Sequence, residues 1–313
     1  MPNQTPQTRA HQSTPRGGVP GALLRALRPT QWAKNLLLAV PLLAAHKAGQ
    51  TPRQIALALA FAAFCLTASA IYIVNDLLDR DSDRRHPAKR FRPFAAGELS
   101  LATGLLAIVL LSSTALALSV AAHLPPRFIA LLVLYAVLSV AYSMILKRLL
   151  LMDVLVLAGL YTLRLLAGGA AVGIPISPWL LAFAMFFFLS LAFAKRYAEM
   201  RAVQDSGAGA APGRGYQVAD LGVMAQAGLA SGYLAVLVLA QYINTDVARG
   251  LYQRPVYLWG VCFLLLYWIT RVWFLVHRGS LDDDPLSFAL TDSLSYLVAA
   301  MTVVVFLLAG PHP

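Results

Sequence analysis

The stretch NDLLDRDSDRRHPAKRFRP, residues 75–93, follows an apolar run ending in IYIV and packs four aspartates and six basic residues into nineteen positions. Within it Asn75, Asp76, Asp79 and Asp83 read N-D-x-x-D-x-x-x-D. On a helix, steps of three and four residues return nearly to the same azimuth, so the three carboxylates form one stripe, with Asn75 one turn before Asp79. Such a stripe repels itself unless cations occupy it. Oxygen-only ligands, with no His or Cys among them, favour Mg2+, which keeps several waters and bridges protein carboxylates to substrate phosphates. Most charge runs are solvated loops. Here the spacing, the abutting apolar helix and the basic residues that follow favour a metal site, with Asp76, Asp79 and Asp83 as its ligands and catalytic groups.

Downstream stand Arg84, Arg85, Lys89, Arg90 and Arg92, with Pro87 and Pro93 stiffening the connection. A guanidinium fork binds phosphate oxygens bidentately, and several such groups stabilise a departing diphosphate as its charge develops. Cytoplasmic retention and lipid-headgroup binding are the competing uses of any one of these residues.

With 313 residues, 59% hydrophobic, 12% charged and a mean hydropathy of +0.67, the chain is not an ordinary soluble domain but an integral membrane protein. A bilayer core of about 30 Å takes about 20 helical residues. Nine apolar segments qualify, at approximately 33–49, 55–77, 101–122, 127–146, 151–173, 177–199, 221–243, 256–276 and 293–310. None alternates with the period of a barrel strand, so the expected fold is all-α, one polytopic bundle of nine transmembrane helices. Nineteen Lys and Arg residues fall on one side of these spans and five on the other, with Arg164 inside a span. The positive-inside rule then puts the N-terminus and residues 75–93 in the cytoplasm. The net charge of +11 is spread by loop rather than gathered in a patch, so no nucleic-acid partner is expected.

Residues 1–25 are expected to form a disordered cytoplasmic tail and 26–313 a single transmembrane domain, because the first twenty positions are rich in Pro, Gln, Thr and Gly. The run LLLAVPLLAA at 36–45 imitates a signal-peptide core, but a long region precedes it and eight further spans follow. GAGAAPGRG at 207–215 reads as a flexible loop tip. Cys65 and Cys262 lie inside expected spans and form neither a disulfide framework nor a zinc site.

Charge inside a span costs about 2.5–3.5 kcal/mol on insertion scales, which singles out Arg164. It follows Asp153 by eleven residues, three turns later on nearly the same azimuth, so this face is expected to point into the bundle. Arg164 then either hydrogen-bonds within a cavity or pairs with a neighbouring helix. Lys34 with Asn35, entering the first span, and Tyr142 with Lys147, leaving the fourth, are further site candidates, though interfacial anchoring explains them equally well. His46, His123 and His277 show no partner pattern.

N-D-x-x-D-x-x-x-D at the cytoplasmic end of the second of nine spans resembles the first signature of the UbiA superfamily of intramembrane prenyltransferases. Roughly residues 26–300 resemble one branch, the decaprenyl-phosphate phosphoribosyltransferases. The matching pieces are LRPTQWAKN at 27–35, YSMILKRLLLMDVLVLAGLYTLRLLAGGAA at 142–171, KRYAE at 195–199 and DDPLSFALTDSLSYL at 283–297. The resemblance implies a UbiA-like fold and Mg2+-dependent transfer of 5-phosphoribose from phosphoribosyl diphosphate to a polyprenyl phosphate. It also implies a cell-envelope precursor as product and a bacterial inner membrane as location, with the site facing the cytoplasm.

Aromatic prenyltransferases of the superfamily usually carry a second aspartate-rich motif after the sixth span, where this chain has Lys195, Arg196 and Glu199. The basic pair suits a donor with a 5-phosphate as well as a diphosphate. Lys195 and Glu199 also make an ordinary i,i+4 helix pair. Two other readings compete. A conventional prenyltransferase would move a prenyl group from its diphosphate to an aromatic or other acceptor. A transporter would place polar or discontinuous helices near the midplane rather than acidic groups at one face.

Overall fold

In the computed structural model the described residues are 18–86, 88–207, 214–281 and 284–310. Most of the 207–215 tip, Pro87, Asp283 and the tail before residue 18 lie outside them. Residues 18–25, expected in the tail, are instead helical in α1 (Gly18–Leu27), where Ala22 and Ala26, one turn apart, bury against Ile73, Phe94 and Leu99.

Among the described residues there is no β-strand, and seven helical segments are long and apolar enough to cross a membrane. These are α3 (Thr51–Leu78), α5 (Leu101–Ala121), α6 (Pro126–Met144), α7 (Met152–Val172), α8 (Pro178–Asp205), α9 (Leu221–Ile243) and α11 (Trp259–His277), the last two each preceded by a 3-10 turn. The last apolar helix, α13 (Ser293–Ala309), has only 17 residues. Short helices α4 (Arg80–Arg85), α10 (Asp246–Leu251) and α12 (Pro285–Ala289) fill connections.

The first expected span is not a continuous α-helix. It is an eleven-residue 3-10 helix, Pro29–Ala39, followed by α2 (Val40–Ala44). Pro41 has no N–H to return to Leu37, whose carbonyl instead accepts from Val40. Three residues per turn align Trp32, Asn35 and Leu38 on one face. That face points inward: the Trp32 indole donates to Ser69 Oγ at 3.0 Å, the Asn35 amide to Cys65 Sγ at 3.3 Å, and Leu38 is fully buried.

The bundle centres on α7, which packs on both sides. Val154, Ala158, Tyr161 and Leu165 join the core shared with α8, α9 and α11, while Leu160, Leu163, Ala167 and Ala171 join that of α3 and α6. The 3-10 segment reaches α7 only because Gly168 lacks a side chain: a Cβ there would lie 2.1 Å from the backbone oxygen of Leu38. Small residues permit such close approach between membrane helices. Gly168→Ala should therefore cost about 1–3 kcal/mol, the usual penalty for overpacking, and displace the segment carrying Lys34. Detergent unfolding curves check this; an unchanged midpoint would mean that the contact is not tight.

Candidate active site

α3 ends at Leu78 and α4 begins at Arg80, yet the amides of Asp79 and Asp83 still reach the carbonyls of Asn75 and Asp79 at 2.9 and 2.8 Å. The backbone ladder thus continues through a capping residue. Asp76 and Asp83 are buried, 2% and 3% exposed, and share one cation. Arg92 Nη1 donates to Asp83 Oδ2 at 2.7 Å and lies 3.4 Å from Asp76 Oδ1, so these two oxygens are at most 6.1 Å apart. Asp79 turns to α6's exit instead, where Lys147 Nζ donates to its two oxygens at 3.2 and 3.3 Å.

Among the described residues, no three carboxylate, His or Cys side chains converge closely enough to chelate an ion. The donor set nevertheless suits a hard divalent cation. Its ligands are all oxygens, one cationic nitrogen already sits against both Asp76 and Asp83, and Asn75 Oδ1 is buried without a hydrogen-bond partner. A buried acceptor left unmade costs about 1–3 kcal/mol, so a ligand for it is worth having.

Arg28 completes this end of the site. Its side chain donates to Asp76 and crosses the Tyr72 ring at 5.3 Å. The backbone at Arg28 is left-handed, φ 52° and ψ 61°, uncommon for a residue with a Cβ. Ser69, two turns before Asp76, holds it there by donating to the Leu27 carbonyl at 3.0 Å while accepting from Trp32.

Lys195 and Arg196 were expected to act together, but consecutive helical residues point about 100° apart and the structure separates them. Arg196, 2% exposed, faces the fully buried Asp153 at 2.6 Å, donates to the Tyr142 hydroxyl at 2.7 Å and to Glu199. Tyr142 in turn donates to Asp153 at 2.7 Å, and Arg214 lies 3.5 and 3.6 Å from Asp153 and Glu199. Arg196, Tyr142 and Asp153 thereby tie α8, α6 and α7 together, while Glu199 pairs with Arg196 within α8. Lys195 points instead to Asp284, at 3.3 Å.

Asp284 also accepts from Lys34 at 2.5 Å and from the Tyr161 hydroxyl at 3.0 Å. Burial opposes its ionisation, but Lys195 and Lys34 overcome that and hold its carboxyl well below the usual carboxylate range. Arg164 bonds to neighbouring segments: it donates to Asn35 at 3.0 Å, to Tyr135 at 2.8 Å and to the Leu160 carbonyl at 2.7 Å, all neutral acceptors. Lys89 and Arg90 are exposed on a short 3-10 turn, Arg90 lying over Phe91 at 4.8 Å.

Residues 35–297 match the UbiA prenyltransferase family. The chain belongs to that family. It is therefore an integral membrane transferase. Uncharacterized protein y4nM of Sinorhizobium fredii is 37% identical over 287 residues, 91% of this chain and 55% of that protein. Nodulation protein NoeC of Azorhizobium caulinodans is 40% identical over 273 residues, 86% of this chain and 87% of NoeC. The decaprenyl-phosphate phosphoribosyltransferase of Corynebacterium glutamicum is 40% identical over 188 residues, 59% of this chain and 57% of that enzyme. The chain thus spans little more than half the length of the first and third of these relatives. A UbiA homolog from Archaeoglobus fulgidus, bound to GPP and Mg2+, superposes with a TM-score of 0.66 at 18% identity, covering 91% of this chain and 99% of its own. At that identity the likeness speaks for the fold.

Three charged groups at this UbiA-family site, and Tyr161 beside Asp284, escaped the sequence reading. Arg28 and Asp284 lay inside the quoted LRPTQWAKN and DDPLSFALTDSLSYL but carried no spacing of their own, and Arg214 sat at a loop edge. Asp284 lies 250 residues from Lys34, a distance no local pattern bridges.

Proposed function

We propose that this UbiA-family transferase moves 5-phosphoribose from phosphoribosyl diphosphate to a polyprenyl phosphate, with Mg2+, making a cell-envelope precursor. The name of the Corynebacterium relative supports the reaction. One observation of the structure carries it furthest: away from the aspartates, two lysines from different segments converge on the single carboxylate of Asp284. That leaves positive charge to spare at a second place. A sugar with a diphosphate at one end and a phosphate at the other has an anion for each; a prenyl diphosphate has one.

Asp76, Asp83 and Asn75, with Asp79 beside them, would hold Mg2+, which would supply positive charge for a diphosphate leaving group. Arg28, Arg92 and Lys147, now on those carboxylates, are the cations that would bind the diphosphate oxygens. An oxygen of the acceptor phosphate, already ionised at neutral pH, attacks C1 and the diphosphate departs with the C1–O electron pair, inverting the centre. No general base is required. Lys195 anchors the 5-phosphate and so fixes the ribose for in-line attack. Arg196 serves this geometry indirectly, by holding α8 to α6 and α7.

The nineteen-to-five division of basic residues favours a cytoplasmic N-terminus and site, in a bacterial inner membrane. Nine crossings remain compatible with the helices: at 2.0 Å per 3-10 residue and 1.5 Å per α residue, Pro29–Ala44 would cover about 30 Å. Lys195→Glu should raise the KM for phosphoribosyl diphosphate about 10- to 100-fold, the worth of one charge-assisted hydrogen bond. An unchanged KM would remove Lys195 from the donor site, and prenyl transfer with no use of the sugar donor would favour the conventional prenyltransferase.

A further inference from the structure

Asp284 Oδ2 accepts three hydrogen bonds from three segments of the bundle: Lys34 Nζ on the 3-10 helix at 2.5 Å, Tyr161 on α7 at 3.0 Å and Lys195 on α8 at 3.3 Å. A carboxylate oxygen has two in-plane lone pairs, so three donors, two of them cations, crowd it. Such convergence is what a phosphate oxygen receives in a built anion site. The two ammonium groups, at most 5.8 Å apart through this oxygen, are close enough to share one phosphate. Behind them Arg164, 5% exposed, meets only neutral acceptors among its hydrogen-bond partners, and adds positive potential through Asn35, next to Lys34.

The carboxylate that fills this place comes from a connection between helices rather than from a transmembrane helix. Asp284 precedes α12, a helix of five residues, and its other oxygen caps that helix by accepting from the Leu286 amide at 3.1 Å. A dianionic phosphate offers the two lysines and Tyr161 more charge and more lone pairs than one carboxylate, and the two cannot occupy the same three donors.

We infer that Lys34, Lys195 and Tyr161 form a phosphomonoester subsite, and that Asp284 is its internal occupant, displaced when the terminal phosphate of the donor binds. This rests on the reading of the donor as a sugar phosphorylated at both ends. Displacement makes entry of the phosphate and release of the α12 cap one event, and it raises the discrimination against anions too weak to evict the carboxylate. Tyr161 and Asp284 then become specificity residues alongside Lys34 and Lys195.

Titration calorimetry of the purified full chain with ribose 5-phosphate, which has the phosphate but no diphosphate, tests this directly. Asp284→Asn keeps the size of the side chain and removes the competing charge, so it should tighten ribose 5-phosphate binding about tenfold or more over wild type. Adding Lys195→Met to it should abolish the gain. In wild type, saturating phosphoribosyl diphosphate should speed hydrogen exchange at the Leu286 amide as its cap leaves. Weaker or equal binding by Asp284→Asn, or protection of Leu286, would overturn the displacement while wild type still turns over the sugar donor. No binding of ribose 5-phosphate by either form and no use of phosphoribosyl diphosphate would remove the donor assignment itself.

Discussion

Asp76→Asn and Asp83→Asn should each lower transfer about a thousandfold, because removing one carboxylate ligand forfeits the several kcal/mol that metal charge supplies at the departing diphosphate. Both carboxylates are buried and share Arg92, so replacing either weakens the hold on an ion and leaves a guanidinium short of a partner. Asp79→Asn should be milder, since Asp79 is half-exposed and faces Lys147. Chelation of the wild type should reproduce the severe variants, and added Mg2+ should restore it. Full activity after exhaustive chelation would remove the metal from the chemistry.

The second large effect is on stability. Arg196→Met should destabilise the protein by about 3–5 kcal/mol, the cost of breaking a buried ion pair from one side. It strips the fully buried Asp153 of its 2.6 Å partner and leaves Tyr142 and Arg214 to compensate. Combining it with Asp153→Asn should recover part of the loss, because the uncompensated charge goes with the partner. Unfolding midpoints in a denaturing-detergent titration measure both. If Arg196→Met keeps its stability and loses only donor affinity, Arg196 touches substrate, as its position beside Lys195 first suggests.

Asp76 and Asp83 were legible as neighbours because their spacing is local and the backbone ladder continues through Asp79, but Asp79, expected as a third ligand beside them, turns to Lys147. The inward face of α7 was legible too, from the separation of Asp153 and Arg164. What pairs with them was not. Arg164 finds Asn35 and Tyr135 on segments 129 and 29 residues away, and Asp153 finds Arg196 on α8. Such partners are fixed by packing rather than by spacing. The first span misled for a different reason. Its apolar content fits an α-helix, but the contact of Leu38 with Gly168 belongs to a tighter 3-10 segment that gives way to α2 only at Val40, and its three-residue repeat sets the inward face. The adjacent letters of Lys195 and Arg196 suggested one task, whereas the helical twist gives each its own neighbourhood.

The most direct measurement is product identity. Purified protein in proteoliposomes, given Mg2+, should be offered phosphoribosyl diphosphate and geranyl diphosphate in parallel, each with polyprenyl phosphate and with 4-hydroxybenzoate, and the lipid extracts analysed by mass. The expected result is a polyprenyl-phosphate 5-phosphoribose formed only from the sugar donor with the lipid acceptor. Prenylated 4-hydroxybenzoate, with no phosphoribosylated lipid, would contradict the assignment of the donor.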